Sequence, residues 1–306
     1  MQKSDWSGVF PAITTPFLPD GSVDEAFLAE HVDWLVSSGC RGIVALGSLG
    51  EGATLRAIEK VRLLEVCRPA IRGRVPLVAA ISGLATQECV ELALAAEAIG
   101  CDGLMVLPAY VYRGDWRETE AHFSAIIEAT SLSCMLYNNP IAYGTDLTVR
   151  DIEELAARHP NVHAVKDSSG DVRRLTALRE RLGGRLALFA GLDDMVTEAT
   201  LMGGDGWIAG LVNAFPEESV RLFDLAHNGN AEEARRLYEW FLPLLRFDTL
   251  PNFVQLIKLV QAEVGRGSEA VRPPRLPLVG SDRAEALAVI RERIELLGRI
   301  PAIATA

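Results

Sequence analysis

The feature that most constrains the fold is a repeated alternation of short apolar runs with amphipathic stretches of helical length. The apolar runs are nearly continuous, which is typical of parallel strands covered on both faces. Eight strand–helix units in one chain predict an α/β fold, a closed (β/α)₈ TIM barrel with a C-terminal helical extension. The predicted strands span residues 8–17, 40–47, 76–82, 101–108, 133–139, 162–168, 186–191 and 206–210.

Helices are predicted between these strands at residues 24–38, 54–72, 86–99, 116–130, 148–158, 171–182 and 193–202. Good N-capping residue types open several of them: Thr54, Thr86, Thr148 and Asp171. The alternative fold, an open doubly wound sheet, favours a G-x-G-x-x-G turn after the first strand, and this chain has none.

The last third of the chain reads as the eighth helix, from about Pro216, followed by further helices at residues 230–245, 252–265 and 281–297. No linker or low-complexity segment separates these helices from the barrel. We therefore expect a barrel over residues 1–228 and an extension over residues 229–306, packed as one structural unit.

Composition excludes several classes of protein. The formal net charge of −11 argues against a nucleic-acid-binding surface, which needs clustered basic residues. No apolar run approaches the roughly 18 residues of a membrane span, and the N-terminus lacks the apolar stretch of a signal peptide. The five scattered cysteines form no C-x-x-C pair and are expected to be core thiols of a cytoplasmic protein.

No metal or cofactor is predicted. The five histidines show no metal-ligand spacing, and no Cys/His cluster accompanies them. A phosphate loop of the G-x-x-x-x-G-K-[ST] type and a G-x-S-x-G elbow are both missing from the sequence.

Lys166 is one of only four lysines, and it falls inside an apolar strand near its C-terminal end, where barrel enzymes carry their active sites. Burying an ammonium group there is costly without a partner or a function. Two interpretations remain open: a buried ion pair with Asp167 or Asp171, or a nucleophilic amine. Only about one free lysine in a thousand is neutral near pH 7.4, so a nucleophile needs such burial. Lys258, by contrast, reads as one polar position of a helix.

Other strand ends supply the groups that imine chemistry needs. Tyr137, in YNNP at the end of the fifth strand, is a candidate for proton transfer to and from the carbinolamine oxygen. GSLGE after the second strand offers the Ser48 hydroxyl, and the backbone N–H groups of Leu49 and Gly50 can face a carboxylate.

Four strand-end motifs, GxxGE, YNNP, VKDSSGD and AGLDD, together resemble those of the dihydrodipicolinate synthase / N-acetylneuraminate lyase family over essentially the whole chain. The resemblance implies a barrel with a helical extension, commonly a homotetramer, that forms a Schiff base with a 2-oxo acid. It assigns the Schiff base to Lys166, the proton shuttle to Tyr137 and the first hydroxyl of the GTTGE motif to Ser48. It also implies that Tyr110 completes a proton relay in the adjacent subunit.

Two positions depart from the family pattern. Leu49 replaces the second threonine of GTTGE, and Ala142 occupies the position at which dihydrodipicolinate synthases carry the arginine that holds the second substrate's carboxylate. The fuller pattern, including LPAYVYRGDW, YNNPIAYGTDLT and RPPRLPL, is most similar to the 1-pyrroline-4-hydroxy-2-carboxylate deaminases of hydroxyproline catabolism. That similarity implies a small substrate, a 2-oxo acid or its cyclic imine.

Two alternatives stay open. A pyruvate-dependent aldolase or sugar-acid dehydratase of the same family, including one with dihydrodipicolinate synthase-like activity, shares the catalytic residues and differs only in pocket contacts. Candidates for those contacts are Ala142, Tyr143, Gly191, Ile208 and the loop 107–112. The second alternative is a catalytically silent barrel that senses a ligand.

Overall fold

The computed structural model describes residues 1–297. Its eight parallel strands follow the sequence order around a ring, with β1 hydrogen-bonded to β8. A single bridge between Ala12 and Val44, with the Ile13 N–H 3.0 Å from the Val44 carbonyl, joins β1 to β2. The predicted barrel is confirmed. Its strands are β1 Gly8–Pro11, β2 Ile43–Ala45, β3 Leu77–Ile81, β4 Gly103–Val106, β5 Ser133–Asn138, β6 Val162–Asp167, β7 Ala187–Ala190 and β8 Gly206–Ala209.

The helices around the barrel are amphipathic, and all except the four-residue helix after β5 bury apolar residues against the strands and neighbouring helices. They are α1 Glu25–Ser37, α2 Ala57–Ile71, α3 Thr86–Ile99, α4 Trp116–Glu128, α5 Pro140–Tyr143, α6 Val149–Arg158, α7 Arg173–Leu182, α8 Val196–Leu201 and α9 Pro216–His227. The short α5 is not among the predicted helices, because its four residues are too few to produce a helical period.

The strands are shorter than predicted, because several apolar residues at their C-terminal ends belong to βα loops that turn over the barrel mouth. Only some of the predicted caps act as caps. Thr148 accepts a hydrogen bond from the Asp151 N–H at the start of α6. Thr86 is already the first residue of α3, and Thr54 ends a separate 3₁₀ turn before α2. Asp171 caps the turn before α7 through the Arg173 N–H, 3.1 Å away.

The C-terminal extension consists of α10 Ala231–Leu245, α11 Phe253–Glu263 and α12 Gly280–Leu297. Residues 298–306 of the predicted extension lie outside the described residues. Apolar side chains of these helices belong to the same buried cluster as the strands. Lys258 corrects the sequence interpretation: it is 2% exposed and ion-paired to Glu51, so it is a buried position rather than a polar surface one.

All five cysteines are buried and free, as predicted, and burial raises the pKa of each thiol. Over residues 1–297, no helix is long and apolar enough to cross a membrane.

Candidate active site

A cavity of about 1570 Å³ opens at the C-terminal ends of the strands. All but one of the side chains and backbone positions proposed from the sequence line it: Ser48, Leu49, Tyr110, Tyr137, Ala142, Tyr143, Lys166, Gly191 and Ile208. This is the end at which TIM barrels carry their active sites. Over residues 1–297, no group of three or more His, Cys, Asp or Glu side chains is arranged to hold a metal ion.

Lys166 is 6% exposed and lies in β6, directly opposite Tyr137 of β5. Its Nζ lies 4.0 Å from the centre of the Tyr137 ring, a cation–π geometry. The two carboxylates considered as ion-pair partners are engaged elsewhere. Asp167 accepts hydrogen bonds from Asn138 and Ser169, and Asp171 pairs with Arg173. Lys166 therefore lines the cavity without either carboxylate as an ion-pair partner.

Gly191, at the end of β7, makes room for the lysine. A methyl group on Gly191 would lie 2.9 Å from Lys166 Cε, 2.8 Å from the Asp167 carbonyl oxygen and 2.1 Å from Ser168 Oγ. Two of those atoms belong to the backbone or to a fully buried side chain. A glycine is therefore required here, because the neighbouring atoms lie too close for any side chain. The space that it leaves free is occupied by the Lys166 side chain.

A cluster of hydroxyl groups lies beside the amine. The Tyr137 hydroxyl accepts a hydrogen bond from the Asn139 amide at 3.0 Å, and its ring meets the Tyr143 ring edge-on at 5.8 Å. The Tyr143 and Ser48 hydroxyls are hydrogen-bonded to each other. Burial and the neighbouring Tyr137 and Tyr110 raise the pKa of Tyr143, so its phenol carries its proton at neutral pH.

Tyr110 lies beside the hydroxyl cluster of its own chain. Its ring stacks on Tyr143, with centroids 5.4 Å apart, and its role in the relay of an adjacent subunit stays a prediction. Burial raises the pKa of the Tyr110 phenol, and hydrogen bonds with Ser82 and Ser48 oppose part of that rise. The tip of the same loop is Val111, which is 90% exposed and has a φ of 70°.

The loop after β2 is tightly built. A methyl group on Gly50 would lie 2.8 Å from the Ile13 carbonyl oxygen, and the Gly50 carbonyl accepts a hydrogen bond from Thr15 at 2.6 Å. Gly50 is accordingly the predicted site residue that does not line the cavity, because its backbone faces the β1 loop. Leu49 is buried and supplies an apolar wall where the family motif has a hydroxyl.

Ala142 lies in α5, where its N–H donates to the Asn139 side chain at 3.0 Å. A guanidinium group nevertheless reaches this part of the rim from another loop. Arg113 lines the cavity, and a methyl group on Gly144 would lie within 2.4 Å of its guanidinium atoms. In the sequence, Arg113 is the arginine of YRGDW, and nothing in the spacing of that motif identifies it as a site residue.

Sequence reasoning also missed the contribution of the extension. Asp248 and Thr249, from the 3₁₀ turn Arg246–Thr249 after α10, line the cavity on the side of β7 and β8. Nothing in the local sequence marks them, because their position depends on how the extension docks onto the barrel.

The fold and the site define an enzyme of the lysine Schiff-base lyase class: a TIM barrel with a buried strand-6 lysine beside a tyrosine at its mouth. The chain belongs to the family described as the dihydrodipicolinate synthetase family, whose sequence model matches residues 5–293.

Individual relatives agree with this assignment. A 4-hydroxy-tetrahydrodipicolinate synthase of Rhizobium meliloti is 32% identical over 92% of this chain and 96% of its own. The structure of the corresponding synthase from Methylacidiphilum fumariolicum SolV superposes with a TM-score of 0.92 at 28% identity, covering 97% of this chain and 99% of its own. The dihydrodipicolinate synthase of Acinetobacter baumannii, solved in complex with pyruvate, gives a TM-score of 0.89 at 30% identity over 94% and 98%.

Proposed function

We propose that Lys166 forms a Schiff base with C2 of a small 2-oxo acid or its cyclic imine, and that the reaction is deamination of 1-pyrroline-4-hydroxy-2-carboxylate. The observation that carries the choice of substrate is Ala142. A methyl side chain occupies the position from which dihydrodipicolinate synthases hold the carboxylate of a second substrate. A substrate with a single carboxylate needs no such group.

The proposed chemistry starts with attack of the Lys166 amine on C2 of the ring, which opens to leave a free primary amine at C5. The protonated Schiff base then withdraws electrons and makes the C3 proton acidic. Loss of that proton and of the 4-hydroxyl group leaves a C3–C4 double bond conjugated with the Schiff base. A proton then moves from C5 to C3, and the resulting enamine at C4 and C5 becomes an imine at C5. Water hydrolyses both imines, and the products are ammonia, 2,5-dioxopentanoate and the free lysine.

Proton transfer at C2 falls to the hydroxyl cluster. Tyr137 lies against the amine, and Tyr143, Ser48 and Tyr110 continue from it in one connected set. Four hydroxyl groups in contact can move a proton between the carbinolamine oxygen and the cavity mouth without a charged intermediate on any one of them. This arrangement supports Tyr143 as a member of the relay, in addition to its predicted contact with substrate.

A second candidate is 4-hydroxy-tetrahydrodipicolinate synthase activity, the name that several relatives carry. One observation favours it: the Arg113 guanidinium group reaches the rim near Gly144 and offers a carboxylate contact from a different loop. A pyruvate-dependent aldolase or a sugar-acid dehydratase would use the same Lys166 and Tyr137.

The first experiment tests the Schiff base. The protein is incubated with pyruvate, reduced with borohydride and weighed intact, and the modified peptide is sequenced. We expect one adduct on Lys166, its loss in Lys166→Arg, and its retention in Lys60→Arg, which changes another cavity-lining lysine. A protein that gains no mass is a ligand-sensing barrel or uses other chemistry.

The second experiment tests the substrate. Wild-type enzyme is given 1-pyrroline-4-hydroxy-2-carboxylate, and ammonia and aldehyde are measured together. Stoichiometric release of both supports the deaminase. Turnover only with pyruvate plus an aldehyde substrate would instead favour the synthase or aldolase, and Arg113→Ala would then raise the KM for a carboxylate-bearing aldehyde.

We also propose that the chain assembles as a homo-oligomer, a homotetramer in the form that the family resemblance implies. Four large apolar side chains that line the cavity are more than two-thirds exposed: Ile58 at 71%, Leu84 at 68%, Val111 at 90% and Ile141 at 72%. Exposed apolar residues gathered in one place are typical of a protein interface.

A further inference from the structure

Asp248 is a carboxyl group on the cavity wall that takes no part in the proton relay described above. It lies beyond the barrel strands in sequence, in the turn Arg246–Thr249, and it enters the site from the extension. The hydroxyl cluster comes from the loops after β2, β4 and β5. Asp248 instead lies beside Gly210 after β8, so the cavity that contains Lys166 is lined by hydroxyl groups from one set of loops and by a carboxyl group beside another.

The contacts of Asp248 are specific. A methyl group on Gly210 would lie 2.7 Å from Asp248 Oδ1 and 3.3 Å from Asp193 Oδ2, so the two carboxyl groups flank one small space. Asp193 is held by its own donors: the Trp207 indole N–H and the backbone N–H groups of Gly210 and Leu211. Asp193 is therefore a fixed, fully buried neighbour, while Asp248 faces the cavity.

Leu49 occupies the adjoining wall, with Cδ2 3.3 Å from the same point at Gly210. At this position the family motif GTTGE has a threonine. The apolar Leu49 side chain offers no proton donor or acceptor to a substrate on this side of the cavity. Asp248 is thus the group available there for proton transfer.

We propose that Asp248 is a catalytic acid–base residue that removes the C3 proton of the Schiff base and returns it to the departing 4-hydroxyl group. This inference rests on the proposed Schiff-base function of Lys166. In the first half-step the C3–H bond breaks, the proton goes to the carboxylate, and the electron pair moves through C2 onto the iminium nitrogen. In the second, the electron pair returns, the C4–O bond breaks, and the hydroxyl leaves with that proton as water. The carboxylate is restored, so no other reactant is needed.

The electrostatic setting fits both half-steps. Burial raises the pKa of Asp248 to about 6, against the lowering influence of the Lys166 charge and of a backbone hydrogen bond from Asp193. A group that both takes and returns a proton works best with a pKa near the working pH. The titratable groups facing it are Lys166 from β6 and Asp193 and Asp194 from the turn after β7, while Arg246 of its own turn faces Asp194.

The test uses pyruvate as the probe, because its Schiff base carries an exchangeable methyl group at the C3 position whatever the physiological substrate is. Exchange of the methyl protons in D₂O is followed by NMR, and the borohydride adduct is weighed in parallel. Asp248→Asn keeps the shape of the side chain. We expect it to form the adduct like the wild type and to exchange at least about 100-fold more slowly.

The matched control is Asp194→Asn, which removes a carboxyl group from the neighbouring turn without touching the cavity. It should exchange at the wild-type rate at about pH 8, where the Asp248 carboxyl group is ionised in both proteins. Wild-type exchange should fall as pH decreases through about 6, because only the carboxylate accepts a proton, and this dependence should vanish in Asp248→Asn. Unchanged exchange in Asp248→Asn overturns the proposal, and so does loss of its adduct, which would place Asp248 in imine formation instead.

These outcomes separate the inference from the proposed function. If the wild type forms no adduct, the Schiff-base function fails, and the role of Asp248 in it fails as well. If adduct and exchange behave as expected but the pyrroline is not turned over, the substrate assignment and the second half-step fail, and removal of the C3 proton by Asp248 stands.

Discussion

Lys258 and Glu51 form an ion pair that is almost completely buried, with Nζ 2.6 Å from Oε1. Lys258 belongs to α11 of the extension, and Glu51 closes the GSLGE loop that carries Ser48. The ammonium group also donates to the Thr15 and Ala270 carbonyls, and the second Glu51 oxygen accepts the Arg272 N–H at 3.0 Å. The extension is thereby fastened to the loop that positions a catalytic hydroxyl.

Replacing Lys258 with methionine should destabilise the protein by about 3–5 kcal/mol, because the buried Glu51 carboxylate would lose its close cation and keep only the longer 3.7 Å ion pair with Arg275. Urea unfolding at pH 7 measures the change. Arg291→Met, which breaks the more exposed pair with Glu263, should cost at most about 1 kcal/mol. The double variant Lys258→Met/Glu51→Gln should recover part of the loss. If Lys258→Met and Arg291→Met lowered the free energy of unfolding by the same amount, the burial of the Lys258–Glu51 pair would be contradicted.

Gly191→Ala should reduce the rate of pyruvate adduct formation about 100-fold. The added methyl group would lie 2.9 Å from Lys166 Cε, so the lysine side chain has to move out of its position. The adduct is quantified by mass against time after borohydride quenching. Gly184→Ala is the matched control, since its methyl group would meet only the flexible end of Lys3 at 3.9 Å. A normal rate in Gly191→Ala would mean that the lysine has space to reach the substrate by another route.

Tyr143→Phe should lower kcat by at least about 100-fold with little change in adduct stability, because it removes one hydroxyl from the relay. Ser48→Ala should have a similar effect. The double variant should be no worse than the more damaging single one, because both residues serve one pathway. The control is Tyr112→Phe, which removes a phenol hydroxyl in the loop after β4. Tyr112 is 59% exposed and donates a hydrogen bond to Glu118, so its loss should leave kcat unchanged. Additive losses would show that the two hydroxyls act separately.

The barrel and the core of the site were accessible from the sequence because both depend on local pattern. Parallel strands that end at the same mouth must bring Lys166 and Tyr137 side by side, and they place the loop that carries Ser48 at the same end of the barrel. The position of Asp248 depends instead on the docking of the extension, which no strand or helix period encodes. For the same reason the sequence predicted a polar surface position for Lys258, whose partner Glu51 lies on a distant loop.

Loop geometry limited the rest of the prediction. In the loop after β4, the Tyr110 ring stacks on Tyr143 of its own chain, and the residue at the exposed loop tip is Val111. Which of two neighbouring side chains turns inward depends on the backbone conformation at Val111, whose φ of 70° is unusual for a β-branched residue. Residue type alone favours the opposite conformation, so the sequence could not indicate it.

The stability of the protein should fall below pH 6.5 partly because of His31. This side chain is 3% exposed, and burial lowers its pKa to about 4. Between these pH values the unfolded chain binds a proton that the folded protein excludes, so stability is retained above about pH 6.5 and lost toward pH 4. His31→Gln can keep the contact with Asn213 and should lack this loss, which amounts to about 3 kcal/mol. Urea midpoints measured from pH 4 to 8 for both proteins give the difference, which should grow as pH falls; a constant difference would contradict the assignment.

Association through the cavity rim should depend on Val111. A β-branched residue held at a left-handed φ and 90% exposed is costly in an isolated chain, and contact with a second copy would bury it. Val111→Asp should therefore shift the sedimentation coefficient from that of an oligomer toward that of a monomer. Val279→Asp, at a 76% exposed position before α12, should sediment like the wild type.

Because Tyr110 faces its own cavity, a monomeric Val111→Asp should still form the pyruvate adduct on Lys166, whereas loss of the adduct would mean that a neighbouring chain completes the site. An oligomer that persists in Val111→Asp would locate the interface elsewhere.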